Sequence, residues 1–390
     1  VIIRAIRGSS FFEAPMSVPM LDLSIQNQAV KKKILDGIGG LIDRSSFILG
    51  DNVKGLEAEI AAYAGAKFGV GMSSGTDALL VALMALDVKA GDEVIMPTFT
   101  FFATAGVVSR LGAKPVFVDL EPRSFNVTGA LVEAAITPRT KAILPVHLFG
   151  QLADMPAICE AAAQFGIPVI EDACQSMGAK GWGLNAGQFG DMTAFSFYPT
   201  KNLGAFGDAG LTIIREDEAL DARVRRLRVH GMEPVYVHHE IGMNGRMDEV
   251  QALVLRAKLE MLEGWHEGRR KHAAWYHRRM KELTPDEAQM PHQVVPDGRH
   301  IYNQFTLRVA GGKRDALQAH LRALGIGCAV YYPICLHQQP CFETLGYQKG
   351  QFPESEQAAE EVLSIPVYPE MSEAMLEEVA TGVLGFFGRE

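Results

Sequence analysis

Read as a sequence, the 390 residues predict an α/β protein: a mostly parallel central sheet flanked by helices, with a smaller C-terminal α+β domain. Three observations carry this. From Lys67 to Ile214 short apolar runs alternate with stretches of helical spacing, the pattern of strands buried on both faces and joined by helices. Some of these runs turn acidic, polar or glycine-rich at their carboxyl ends, the edge where open α/β sheets bind ligands. A helical run rich in Arg, Lys and Glu, Met247–Leu283, then leads to a second set of strand and helix patterns reaching Phe387.

The first 15 residues, VIIRAIRGSSFFEAP, precede Met16 and are expected to be a non-native or disordered tail. A large domain is expected over 16–265 and a small one over 266–390. Gln26–Asp43 has Val30, Ile34, Ile38 and Leu41 at helical spacing, with Lys31–Lys33 on a solvated face; Asn52–Ala64 repeats the pattern with Leu56, Ile60 and Tyr63. Strands are expected at 68–72, 92–96, 114–119, 141–146, 167–172, 191–197 and 210–214, and helices at 76–87, 102–111, 129–136 and 154–165. Gly69, Gly71 and Gly75 are spaced GxGxxxG, which is not the dinucleotide fingerprint GxGxxG, and no acidic ribose partner follows. Glu216–Gly231 reads as a basic amphipathic helix. The run Met247–Leu283 reads as one long helix with the domain hinge at 260–270. Tyr302–Tyr332 reads strand, helix, strand, with Gly325 stopping the helix; a strand at Leu363–Val367 and a helix capped by Ser372 complete the small domain.

Composition excludes several functions. A net charge of −9 argues against nucleic-acid or anionic-membrane binding, and no apolar run approaches the roughly 18 residues of a membrane span. Five cysteines, odd in number and without metal-like spacing, suggest reduced thiols and a cytoplasmic setting. Adjacent His238 and His239 cannot both face one pocket from a regular element, so no metal site is expected.

The chemistry lies in three segments. Ala194–Gly210, AFSFYPTKNLGAFGDAG, delivers Lys201 from a loop with Gly204, Gly207 and Gly210. By itself this would also suit a surface lysine beside a flexible loop. Pro168–Ser176 is an apolar strand whose end places Asp172 and Gln175 at the ligand edge. Met72-Ser-Ser-Gly-Thr-Asp-Ala-Leu79 follows a strand and opens a helix, whose free N–H groups suit a phosphate. A phosphate cradle, a strand-end aspartate and a loop lysine together describe a site for pyridoxal 5′-phosphate. Phe101, at another strand end, is either a ring-stacking aromatic or a core one, and His147 either meets substrate or satisfies a backbone carbonyl.

With SSGTDAL, PTFTFFAT, PVHLFGQ, EDACQS, SFYPTKNLGAFGDAG and GMNGRMDEVQA in order, the chain from about Val18 onward resembles the DegT/DnrJ/EryC1/StrS family of pyridoxal phosphate-dependent sugar aminotransferases. The resemblance implies the PLP-dependent transferase fold type I and a homodimer with shared active sites. It implies that Lys201 forms the Schiff base and moves the proton. Asp172 then holds the ring nitrogen protonated, Phe101 stacks on the ring, and Gln175 bonds the ring hydroxyl or the substrate. Gly75, Thr76 and Ser196 would hold the phosphate with Asn244 of the neighbouring subunit. Ala173 and Cys174 would pack beneath the ring, and Ser45–Gly50 would border the neighbour's site. Arg246, Tyr331 and His337 would contact the substrate. The implied substrates are L-glutamate and a nucleotide-diphosphate keto sugar, for surface polysaccharide or secondary-metabolite sugar biosynthesis. The runs around Asn244 and Leu345–Met371 resemble members that aminate C3, and Gly245 stands where members acting on C4 often carry an aromatic. A 4-keto sugar or cyclitol aminotransferase, and a non-catalytic cofactor-binding regulator, are the alternatives. A dehydratase of this fold would have histidine in place of Lys201.

Overall fold

The computed structural model describes residues 17–389. The expectation for residues 1–15 lies outside them. Two helices open the chain, α1 (Ser24–Arg44) and α2 (Asp51–Ala64), and then strands and helices alternate: β1 (Phe68–Met72), α3 (Gly75–Ala85), β2 (Glu93–Pro97), α4 (Ala103–Arg110), β3 (Lys114–Val118), α5 (Gly129–Glu133), β4 (Thr140–Ile143), α6 (Met155–Phe165) and β5 (Ile170–Asp172). A short hairpin, β6 (Lys180–Gly181) and β7 (Leu184–Asn185), precedes β8 (Met192–Ser196), β9 (Gly210–Ile214) and α7 (Glu218–Leu227).

The strands lie in the order β3-β2-β4 and β5-β8-β9-β1, and parallel bridges Ile143–Val169 and Val146–Asp172 join the two groups into one sheet. Only β9 runs against its neighbours, β8 and β1. Successive side chains on a strand point to opposite faces, and here both faces are covered. Ile95, Ile143, Phe195 and Ile213 enter one core with Leu56 and Ile60 of α2. Their neighbours Val94, Met96, Ala142, Ala194 and Ile214 enter the other with Leu79, Leu83 and Val108 of α3 and α4. This double burial explains why the strands read as continuous apolar runs.

Three expectations need correction. The helix at 129–136 is only Gly129–Glu133, capped by the Thr128 hydroxyl. The long run from Met247 is two helices, α8 (Glu249–Leu259) and α9 (Leu262–Arg279), broken at Glu260–Met261. The strand expected after the small-domain helix reduces to isolated bridges, Val18–Ile326 and Ala329–Ser364. The C-terminal region forms a second, antiparallel sheet of β10 (Ala288–Gln289), β11 (Phe305–Val309) and β12 (Val362–Ile365), with α10 (Arg314–Ala323) and α12 (Glu373–Phe386); α11 (Pro353–Glu361) runs directly into β12. Ser372 caps α12, its hydroxyl accepting from the Met375 N–H at 3.2 Å. One helix serves both cores: Leu262 and Trp265 of α9 pack in the large one, Ala273 and Tyr276 in the small one. No helix of the described residues is long and apolar enough to cross a membrane.

Candidate active site

At the carboxyl edge of the sheet the end of β5, the start of α3, the end of β8 and the start of α4 pack against one another. Asp172 ends β5 and is 5% exposed. Its Oδ2 accepts from the Thr104 hydroxyl at 2.8 Å and its Oδ1 from the Cys174 N–H at 3.2 Å. Thr104 has a single hydrogen and gives it to the carboxylate, so Thr100, 3.3 Å away, must be the donor to Thr104. Thr104 lies 68 residues from Asp172 and carries no local signal of this role.

Lys201 follows a tight turn in which its own N–H bonds the Tyr198 carbonyl at 2.8 Å. The return is equally close: a Cβ on Gly204 would lie 2.3 Å from the Pro199 carbonyl oxygen, and one on Gly210 2.3 Å from the Ser74 backbone. Glycine is required at both. Burial pushes the Lys201 amine below its ordinary pKa, against the opposing pull of Cys174 and the Asp172 carboxylate. The lysine and the aspartate, 29 positions apart in sequence, are thus close enough in the fold for the charge of one to act on the other. Burial also raises the Cys174 thiol well above its usual value, which fits packing rather than nucleophilic use.

The loop is held from beneath by α8. Gln251 Oε1 accepts from the Phe206 N–H at 2.9 Å, and the buried Lys258 ammonium donates to the Gly204 carbonyl at 2.8 Å. Burial lowers Lys258 to about 8. Neither residue stood out in the sequence, where a lysine on a charged helix looks solvated.

Gly75 and Thr76 form the first turn of α3, whose leading N–H groups have no partner within the helix. Ser74 caps it, accepting from the Asp77 N–H at 3.0 Å. Ser196 ends β8 against this turn: a Cβ on Gly75 would meet the Ser196 Cβ at 2.7 Å and the Cys174 sulfur at 3.0 Å. Hydroxyl and N–H donors are thus packed around a helix N-terminus that favours an anion. Phe101 is 57% exposed, so its ring is not a core aromatic. The donor set fits pyridoxal phosphate: an anion cradle, an uncovered ring, a carboxylate and a desolvated amine.

The remaining candidates separate. The backbone of Gly245 accepts from the Ser73 N–H at 2.9 Å, which fixes Asn244 and Arg246 beside the cradle. Asn244 is nevertheless exposed, whereas Arg246 is partly buried and its Nε has no hydrogen-bond partner. Tyr331 and Tyr332 are both partly buried, with ring centroids 6.0 Å apart. The reading that gave His337 to the substrate finds no free nitrogen there. His337 is 3% exposed, its Nδ1 lies 2.7 Å from the Thr98 hydroxyl and its Nε2 3.2 Å from Glu356. His147 is neither a substrate contact nor bonded to a carbonyl: Nε2 meets Glu171 at 2.8 Å and Nδ1 accepts from the Ala153 N–H. Gln175 bonds Phe149 and Tyr332 within the chain.

Comparison with known proteins shows the family of the chain. The model of the DegT/DnrJ/EryC1/StrS aminotransferase family matches residues 28–384. A "Pleiotropic regulatory protein" of Geobacillus stearothermophilus is 51% identical over 95% of this chain and 99% of its own length. UDP-N-acetyl-3-dehydro-alpha-D-glucosamine 3-aminotransferase of Acidithiobacillus ferrooxidans is 46% identical over 94% of this chain and 96% of its own. Among solved structures, S. venezuelae DesV in complex with a ketimine intermediate superposes with a TM-score of 0.92 at 38% identity, covering 97% of this chain and all of that one. The chain belongs to the DegT/DnrJ/EryC1/StrS aminotransferase family, whose members depend on pyridoxal phosphate.

Proposed function

We propose that the protein transfers the amino group of L-glutamate to C3 of a nucleotide-linked 3-keto sugar, working as a homodimer with shared sites. The observation that carries this is the convergence of Lys201, Asp172 and the α3 first turn at one sheet edge. The C3 position rests on the 46% identical relative, which is named for that reaction. Pyridoxal phosphate, when bound, supplies a ring that withdraws electrons from the carbon bearing the amino nitrogen. Asp172, fixed by Thr104, would hold a proton on the ring nitrogen. Lys201, pushed toward its neutral form by burial, would be the group that takes a proton from the substrate carbon and gives it back. Gly75, Thr76 and Ser196 would hold the phosphate, and Phe101 would stack on the ring. Asn244 is exposed and makes no side-chain hydrogen bond among the described residues, which suits a role in a second copy's cradle. Arg246, with an unpartnered Nε on a chain of charge −9, offers a local cation for an anionic group of the substrate, and Tyr331 is a second candidate contact.

The purified protein should be yellow, and its visible band should bleach on adding L-glutamate and recover with a 3-keto nucleotide sugar. A colourless protein that takes up no cofactor sinks the reading. A second reading, cofactor binding without turnover, is favoured by the name of the regulatory relative, and a band that no amino donor bleaches would support it. Shared sites have their own test. Lys201→Ala and Asn244→Ala, each inactive, should regain up to about a quarter of wild-type activity after subunit exchange, because one site of each heterodimer recovers all its parts. No recovery after verified exchange would place Asn244 outside the partner's site.

A further inference from the structure

We propose that Tyr332 is a positioning residue of the cofactor pocket: together with the Phe149 turn it fixes the Gln175 amide with one N–H left to donate to the cofactor ring, and it ties that donor to the small domain. This rests on the functional reading above.

An amide side chain has one acceptor oxygen and two N–H donors, and its orientation follows from its partners. Gln175 is 7% exposed and lies three residues beyond Asp172. Its Oε1 accepts from the Phe149 backbone N–H at 2.8 Å, which can only donate. The oxygen end is therefore settled. Nε2 then donates to the Tyr332 hydroxyl at 3.0 Å. A flipped amide would set two donors against each other at Phe149. One N–H of Gln175 is left without a partner among the described residues. The site thus presents a donor, the correct polarity for an ionised ring oxygen.

Both of these anchors lead to the small domain. Tyr332 belongs to the segment that follows α10, and its ring lies 6.1 Å from Phe99 and 6.2 Å from Phe101. Phe149 holds a left-handed backbone, φ 60°, between its bond to Gln175 and its carbonyl, which accepts from the Asn303 N–H at 3.0 Å. The adjacent Gly150 carbonyl accepts from Ile301 at 3.0 Å. Asn202, next to the catalytic lysine, donates to the Ile301 carbonyl at 3.2 Å, and the buried Arg269 donates to the Tyr302 and Val367 carbonyls. The strand that begins at Phe305 is thereby wired to Gln175 from one side and Tyr332 reaches it from the other. Burial, helped by the Asp172 charge, raises the Tyr332 phenol well above its ordinary pKa, so the hydroxyl stays protonated.

The test uses the holoprotein without substrate. Tyr332→Phe keeps the ring and its packing and removes only the hydroxyl. The pH midpoint of the visible band should move by about 0.5 unit or more, because a donor to the charged ring oxygen is no longer held in place. Gln175→Leu should move it at least as far, and the double variant no further than Gln175→Leu. In turnover, Tyr332→Phe should lower kcat several-fold and leave KM for the sugar nucleotide unchanged. A Tyr332→Phe titration that superposes on wild type overturns the proposal, as does a shift that adds to that of Gln175→Leu. A rise in KM alone would make Tyr332 a substrate contact and overturn it as well. If Gln175→Leu does not fold, Gln175→Met serves in the same cycle. A wild-type protein with no band overturns the underlying reading and this inference with it; a wild-type band with unmoved variants overturns this inference alone.

Discussion

Glu171 and Asp172 are consecutive residues of β5, both buried and both carboxylates, and strand geometry sends them to opposite faces. On one face Glu171 meets His147, the backbone N–H groups of Gly187, Phe189 and Gly190, and the Thr193 hydroxyl. On the other, the hydrogen bonds to Asp172 among the described residues come from the Thr104 hydroxyl and the Cys174 N–H. An ionised carboxylate offers about four acceptor positions. Glu171 has more donors than that, and Asp172 has half. The saturated carboxylate is a tie between loops; the unsaturated one keeps capacity for a group that enters the pocket. Burial by itself would raise the Glu171 carboxyl, but His147 and the backbone N–H groups outweigh it and hold it below the usual range.

The largest expected effect breaks the pocket side. Asp172→Asn should still bind cofactor but lose about a thousandfold or more in kcat, since a neutral amide cannot hold the ring nitrogen protonated. Its melting temperature should change little, because few donors are orphaned. A variant with near-normal kcat would remove Asp172 from the chemistry, and a collapse in stability would make the two carboxylates alike.

Next in size is the core side. Glu171→Gln should destabilise the fold by about 3 kcal/mol in chemical denaturation, because His147 and at least one N–H lose their acceptor in a buried place. The rate per folded molecule should stay within a few-fold of wild type. The sign with pH follows from the lowered pKa. Glu171 contributes stability above the carboxylate range of the unfolded chain, and that contribution is lost as pH falls through its lower folded value. The variant should lack this part of the acid loss. Equal acid sensitivity in the two proteins would show that Glu171 is not the tie.

Much of this was legible in the sequence, for physical reasons that differ by residue. Strands buried on both faces announce themselves as apolar runs, so the sheet was readable. The loop that carries Lys201, the strand end at Asp172 and the helix start at Gly75 were readable because glycine spacing, strand ends and helix starts are local. Partnerships across the chain were not. Thr104 and Asp172 lie 68 positions apart, and Gln175 and Tyr332 lie 157 apart. His147 showed two readings and took a third, because its partner Glu171 comes from the neighbouring strand end. His337 sits in a segment that reaches the pocket, yet Thr98 and Glu356 claim both its nitrogens. The break at Glu260–Met261 has neither glycine nor proline to mark it, so the charged pattern ran on through two helices.

The smallest effect sharpens the comparison at a single bond. Thr104 is fully buried, and its hydroxyl passes a hydrogen-bond chain from Thr100 to Asp172 Oδ2. Thr104→Val keeps the shape and removes the donor to a charged acceptor, an interaction worth about 1.5–3 kcal/mol when buried. Only part of that should appear in the rate, because Asp172 keeps the Cys174 N–H and its proximity to the ring. The expected loss is about tenfold in kcat, about 1.4 kcal/mol in activation free energy, with KM for both substrates unchanged. Thr104→Ser restores the donor and should recover most of it, which a packing role for the methyl group would not allow. If valine and serine lose activity equally, the methyl contact counts as much as the hydroxyl, and the donor by itself does not account for the loss. If neither loses any, Asp172 is placed by its strand alone, and its two remaining acceptor positions owe nothing to α4.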